Sequence, residues 1–116
     1  MSYDLVFWKQ SSSNTDPPSQ TYRLLLDGTA PNGVAEIRTG QLLDRVRQEF
    51  PGVKEEGGLM YWDGEDNGMF EIYSSPHHIH FCCRGLPGEE MNRLIDIAAE
   101  FDCKLYDPQT DVRYTG

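Results

Sequence analysis

The chain is short of positive charge. Ten Lys and Arg residues stand against nineteen Asp and Glu, a net charge of −9 over 116 residues. A phosphate backbone is normally held by clustered Lys and Arg, so this balance argues against a nucleic-acid partner. It favours solubility and fast encounter with basic proteins. Cysteine is also sparse: Cys82, Cys83 and Cys103, an odd number with no framework spacing. That excludes the disulfide-stapled scaffold of small secreted domains. Adjacent Cys82 and Cys83 would point to opposite faces of a strand, so they do not bridge each other. No apolar run is long enough to span a membrane, and the opening SYDLVFWKQ is too short and too polar for a signal peptide. There is no CxxC, no HExxH and no internal repeat. These absences predict a reduced, cytoplasmic protein without cofactor or membrane partner. The length suits one domain, residues 1–116, with a core that needs neither disulfide nor metal.

What is present centres on residues 75–108, SPHHIHFCCRGLPGEEMNRLIDIAAEFDCKLYDP. Ile79, Phe81 and Cys83 alternate with His78, His80 and Cys82. Successive strand residues face opposite sides, so one face is apolar and the other carries two imidazoles and a thiol, as expected of a sheet covered on one side only. Pro87-Gly88 makes a turn, and Glu89 and Glu90 fall in a helix's first turn, where carboxylates suit the dipole. Met91, Leu94, Ile95, Ala98 and Phe101 then recur at helical spacing, and residues 104–106 read as a strand.

Earlier in the chain, residues 3–9 read as a central strand, with apolar residues on both faces. Residues 10–15 are a polar, Ser-rich loop. Asp16 as N-cap and Pro17 at the first position open a helix that carries Tyr22, Leu25 and Leu26 and stops at Gly28. A strand over residues 21–26 is the competing reading. Residues 29–36, containing Pro31, Asn32 and Gly33, form a loop. Thr39 caps a second helix, residues 40–50, with Leu43, Val46 and Phe50 in its stripe, and Pro51-Gly52 ends it. Residues 54–58 are a charged link. Residues 59–62 and 69–74 are strands around an Asn67-Gly68 turn. The tail after Pro108 is expected to fray. The order β-α-α-β-β-β-α-β predicts an α+β two-layer sandwich, with helices packed on one face of a mostly antiparallel sheet.

No residues form a catalytic constellation. His78, His80 and Cys82 share a strand face and are the candidate metal ligands, but the strand rise puts Cys82 about 13 Å from His78, too far to share one ion without a bend. Ordinary packing of a polar face is the simpler account. A Cys82–His80 nucleophile pair lacks an orienting third residue and an oxyanion loop. Asp63, Glu65 and Asn67-Gly68 imitate the start of a calcium loop, yet Ser74 stands where the bidentate Glu belongs, so an acidic hairpin fits better. An aromatic sheet face suits single-stranded RNA, but a basic motif is missing. The acids Glu55, Glu56, Asp63, Glu65 and Asp66 gather around one hairpin. Glu71, Tyr73, His78 and His80 would extend that patch over the sheet if the register allows, and aromatic residues among charges make good binding anchors.

Three segments, SYDLVFWKQ at 2–10, FPG at 50–52 and CRGLPGEEMNRLIDIAAEFDCKLYDPQT at 83–110, resemble a group of small bacterial cytosolic proteins. In size, acidity and α+β organisation that group resembles the immunity proteins of contact-dependent inhibition and related polymorphic toxin systems. The resemblance implies a non-enzymatic protein that occludes the basic active site of a toxin domain. The alternatives are a small metal-binding or catalytic protein using the His/Cys strand, and a homodimeric structural domain joined through its open sheet face. The sequence leaves monomer and homodimer equally open.

Overall fold

The structure, a computed structural model, describes residues 2–10, 16–29, 31 and 33–114. Among the described residues it is α+β, with three α-helices and eight antiparallel strands. The elements in chain order are β1 (Ser2–Gln10), α1 (Pro18–Leu26), β2 (Val34–Ala35), α2 (Thr39–Glu49), β3 (Lys54–Glu56), β4 (Leu59–Asp63), β5 (Met69–Ser75), β6 (His78–Arg84), α3 (Gly88–Glu100), β7 (Lys104–Asp107) and β8 (Val112–Arg113). The sheet order is β3-β4-β5-β6-β1-β7-β8, with β2 pairing the end of β1. No described helix is long and apolar enough to cross a membrane.

β1 is central, as its two-faced apolar pattern predicts. Leu5, Val6, Phe7 and Trp8 are all buried, and β6 and β7 flank the strand. Leu5 and Phe7 join the main core with Leu42, Val46, Phe50, Phe70, Phe81, Leu94 and Ile97. Its centre is a chain of aromatic contacts, Phe50–Phe70, Phe70–Phe81 and Phe7–Phe81, with centroids 5.1, 5.6 and 5.9 Å apart. Edge-on pairs of this kind each add about 0.5–1.5 kcal/mol beyond area burial. α2 and α3 cover this face. Arg93 ties them together, donating to the Glu49 carbonyl and carboxylate at 2.7 and 2.8 Å and lying over the Phe50 ring.

The opposite face corrects the one-sided sandwich. Val6 and Trp8 pack with Leu25, Val34, Tyr106 and Tyr22, so α1 lies across from α2 and α3. The sheet is covered on both sides, but on this second side only over β1, the inner part of β6 and β7. The helical reading of residues 18–26 holds, with Pro17 as N-cap and Pro18 in the first turn, one residue later than predicted. Gly28 follows with φ +79°, the left-handed conformation of a helix stop.

Thr39 begins α2 as a helical residue rather than its cap. Its hydroxyl donates to the Ser75 carbonyl at 2.8 Å and fastens the helix start to the end of β5. Three segments read as loop, link or frayed tail contain strands. Val34–Ala35 pairs β1, Lys54–Glu56 pairs β4 around Gly57-Gly58, and Val112–Arg113 pairs β7. Each is two or three residues long and has no alternation to read. Of the Ser-rich loop at 10–15, only Gln10 is among the described residues, where it ends β1; Asn32 lies outside them. Between β4 and β5 the chain makes a turn of 3-10 helix, Glu65–Asn67. Gly68 there has φ +85°, and a Cβ on it would stand 2.5 Å from the Gly85 carbonyl oxygen, closer than any side chain tolerates.

Candidate functional site

β3, β4 and β5 present the α1-side face of the sheet with no described helix over it. The register lays out this open half in rows. Lys54, Tyr61, Glu71, Cys82 and Asp4 follow one another across five strands. Tyr73, His80, Val6, Tyr106 and Arg113 form the next row, running from open surface to beneath α1 and beyond. Asp63, Met69, Arg84 and Ser2 form a third. Glu56 and Leu59 complete the outer corner. Tyr73 is 47% exposed, and Tyr61, Met69 and Leu59 are half-buried.

The site residues predicted from sequence are partly brought together. Glu71 and Tyr73 are neighbours on the open face, and the Tyr73 hydroxyl donates to Glu71 Oε2 at 2.7 Å. That bond, and then burial, raises the phenol pKa. The Tyr73 ring lies 6.0 Å from the His80 ring. Glu56 and Asp63 share this face. Glu55 does not: it pairs with Met60 on the α2 side, and its carboxylate lies 3.8 Å from Arg47. Period-2 alternation separates Glu55 from Glu56, so the acids of residues 55–66 are not one patch. Glu65 and Asp66 sit in the 3-10 turn, whose start is fixed by the Glu65 amide donating to Asp63 Oδ1 at 2.9 Å. The turn joins two strands, without the helices of a calcium loop.

His78 and His80 are not open surface. They are 7% and 9% exposed, with Tyr22 of α1 edge-on to His80 at 6.2 Å. His78 Nδ1 lies 2.7 Å from Ser75 Oγ, which also accepts the His77 amide. Burial first, then the neighbouring His80 and His77, pushes the His78 pKa down to about 4. The ring is therefore neutral, with Nδ1 free to accept the Ser75 proton. His80 Nε2 faces Asp4 Oδ1 at 3.1 Å. Between Leu25, Leu26, Tyr73, Ser74 and the two imidazoles lies a cavity of about 340 Å³, at the seam where α1 meets the open half.

Among the described residues, no three His, Cys, Asp or Glu side chains gather closely enough to hold a metal ion. His78, His80 and Cys82 stay spread along one strand, and each imidazole has another partner. Nor is Cys82 set up as a nucleophile. Burial, then its bond to Asp4, pushes the thiol up to about 11. A reactive cysteine needs positive charge beside it; here a carboxylate serves both the thiol and the imidazole. Cys83 is pushed to about 12 and Cys103 to about 11, chiefly by burial.

Reading the sequence missed Asp4 and Tyr61. Asp4 directly precedes the apolar run Leu5 to Trp8 of β1, a signal that was legible. Tyr61 shared its face with Glu71 only once the β4–β5 register was known. No protein-family model, curated protein or solved structure matches the chain.

Proposed function

We propose that this chain is a non-enzymatic protein-binding domain whose working surface is the open half of the sheet, with the seam cavity as its anchor pocket. The observation that carries the reading is Tyr73. It stands 47% exposed on an uncovered face, hydrogen-bonded to Glu71 and beside a cavity that one partner side chain would fill. Half-exposed aromatic residues next to a pocket are what binding hot spots are made of. Glu56, Asp63 and Glu71 on the face, with Glu65 and Asp66 at its rim, outnumber Lys54 and Arg84. With a net charge of −9, that favours a basic partner and fast, salt-dependent association.

Taken with the resemblance of its segments, this surface supports reading the chain as an immunity protein that would cover the basic active cleft of a toxin domain, carboxylates standing where substrate phosphates would. Raised thiol pKa values and imidazoles engaged with Ser75 and Asp4 support binding over catalysis.

The test is capture from cells that express the chain naturally, at moderate salt, followed by affinity measurement with the purified partner. A near-stoichiometric basic toxin fragment is expected. Its affinity should fall with added salt, with Glu71→Lys and with Tyr73→Ala, while Glu55→Lys on the other face changes it little. Salt-insensitive binding that survives Glu71→Lys and Tyr73→Ala would overturn the reading. Self-association abolished by Tyr73→Ala would replace it with a homodimer.

A further inference from the structure

A larger cleft, about 480 Å³, opens on the opposite face, at the edge where α3 overhangs β1 and β7. Its volume lies within the range of about 300–1,000 Å³ usual for small-ligand sites. The walls are apolar: Met91 and Ile95 from α3, and Leu105 from β7. All three are only partly buried although they pack on the core. Tyr3 and Tyr114, 36% and 49% exposed, stand at the mouth.

The buried carboxylate of this cleft is Asp107, only 3% exposed; Asn92 and Lys104 also line it. Its Oδ2 accepts the Tyr3 hydroxyl, and its Oδ1 accepts the Gln109 amide and side chain. Burial acts to raise the carboxyl pKa, but these donors outweigh it and hold the group below its ordinary range, so it is ionised at neutral pH. No Lys, Arg or His lies within ion-pair distance of it among the described residues. Lys104 reaches the cleft but does not pair with it. A buried carboxylate held by neutral donors alone is a site of uncompensated negative charge in a low-dielectric wall. Tyr3 spends its single proton on Asp107, so its oxygen offers only lone pairs to the cleft.

From this geometry we infer that the α3–β7 cleft binds a small organic cation, an apolar body with a protonated amine. The body would lie between Met91, Ile95 and Leu105. The ammonium would donate to the Tyr3 oxygen beside the Asp107 carboxylate. This site is independent of the protein-binding face, being on the other side of the sheet. The single carboxylate decides the sign of the ligand, because an anionic head there would face Asp107 unscreened.

The experiment is titration of the isotope-labelled full chain with phenethylammonium, followed by amide NMR shifts, with phenylacetate and ethylammonium as matched probes. Saturable shifts confined to the α3–β7 cleft are expected for phenethylammonium alone. Asp107→Asn should weaken binding about tenfold or more, the size expected when a charged hydrogen-bond partner is lost. Ala99→Phe, placed on the solvent side of α3 where the cleft is lined by Ala99, should abolish binding without removing any polar group. Equal binding of phenylacetate would reduce the cleft to a greasy patch. Equal shifts with ethylammonium would reduce the effect to the acidic surface. Absence of saturable shifts, or binding that survives Ala99→Phe, would also overturn the site.

Discussion

His80 of β6 and Asp4 of β1 meet diagonally across the strand boundary, Nε2 to Oδ1 3.1 Å. Asp4 stands directly opposite Cys82, and His80 opposite Val6, so the contact joins residues one pleat apart on the same face, within reach of long side chains. It also joins the covered and open halves of that face: Tyr22 lies on one side of the imidazole and Tyr73 on the other. Replacing His80 by Ala leaves Asp4 without this donor and opens space beneath Tyr22. The expected loss is about 1–3 kcal/mol, read as a lower urea midpoint with unchanged slope. Asp4→Asn, whose amide oxygen still accepts from the ring, should cost clearly less than Asp4→Ala. Equal losses for the two would show that the hydrogen bond contributes nothing.

His78 gives the protein an acid sensitivity of definite sign. Its folded pKa, about 4, lies below the ordinary histidine value of about 6.5. The unfolded chain therefore takes up this proton first as pH falls. The His78 contribution is fully present above about pH 6.5 and is lost progressively down to about pH 4, up to roughly 3 kcal/mol in all. Denaturant titrations at pH 7.5, 6, 5 and 4.5 should show this decline. In His78→Gln the slope across that window should flatten. A wild-type profile that stays flat from 7 to 5 would mean the imidazole is not buried as a neutral ring.

The thiols should be slow. A shift from the ordinary thiol value up to about 11 leaves Cys82 with roughly a hundredfold less thiolate at neutral pH. Alkylation by iodoacetamide at pH 8, followed by intact mass, should label the native chain about a hundredfold more slowly than the same chain in denaturant. Cys82, the least buried of the three, should react first. Labelling of native Cys82 faster than in the unfolded chain would reveal an activated nucleophile and revive an enzymatic reading.

Much of the organisation was legible in local pattern. The run Leu5 to Trp8 announced a strand buried on both faces. The alternation of His78, His80 and Cys82 with Ile79, Phe81 and Cys83 assigned two faces to β6 correctly, and the 3.6-residue period of Met91, Leu94, Ile95 and Ala98 marked α3. The short strands β2, β3 and β8 were not legible, because two or three residues carry no period and gain strand geometry only from a partner distant in sequence. The candidate site was half legible. Glu71 and Tyr73 fall together on one strand face by alternation alone, whereas Asp4, 78 residues from Cys82, arrives there only through β1–β6 pairing.

The sequence by itself thus determined the two faces of the longer strands, the acidic balance and the helix limits to within a few residues, since these follow from local sterics and side-chain periodicity. Tertiary structure alone decided which faces are covered. Tyr22 and Leu25 are equally apolar whichever side of the sheet α1 takes. Their packing on Val6, Trp8 and Tyr106 buries the imidazoles, leaves Tyr73 in the open and sends α2 and α3 to the other side. Coverage is a global property, because the apolar surfaces that must meet lie on strands that become neighbours only when the chain has folded.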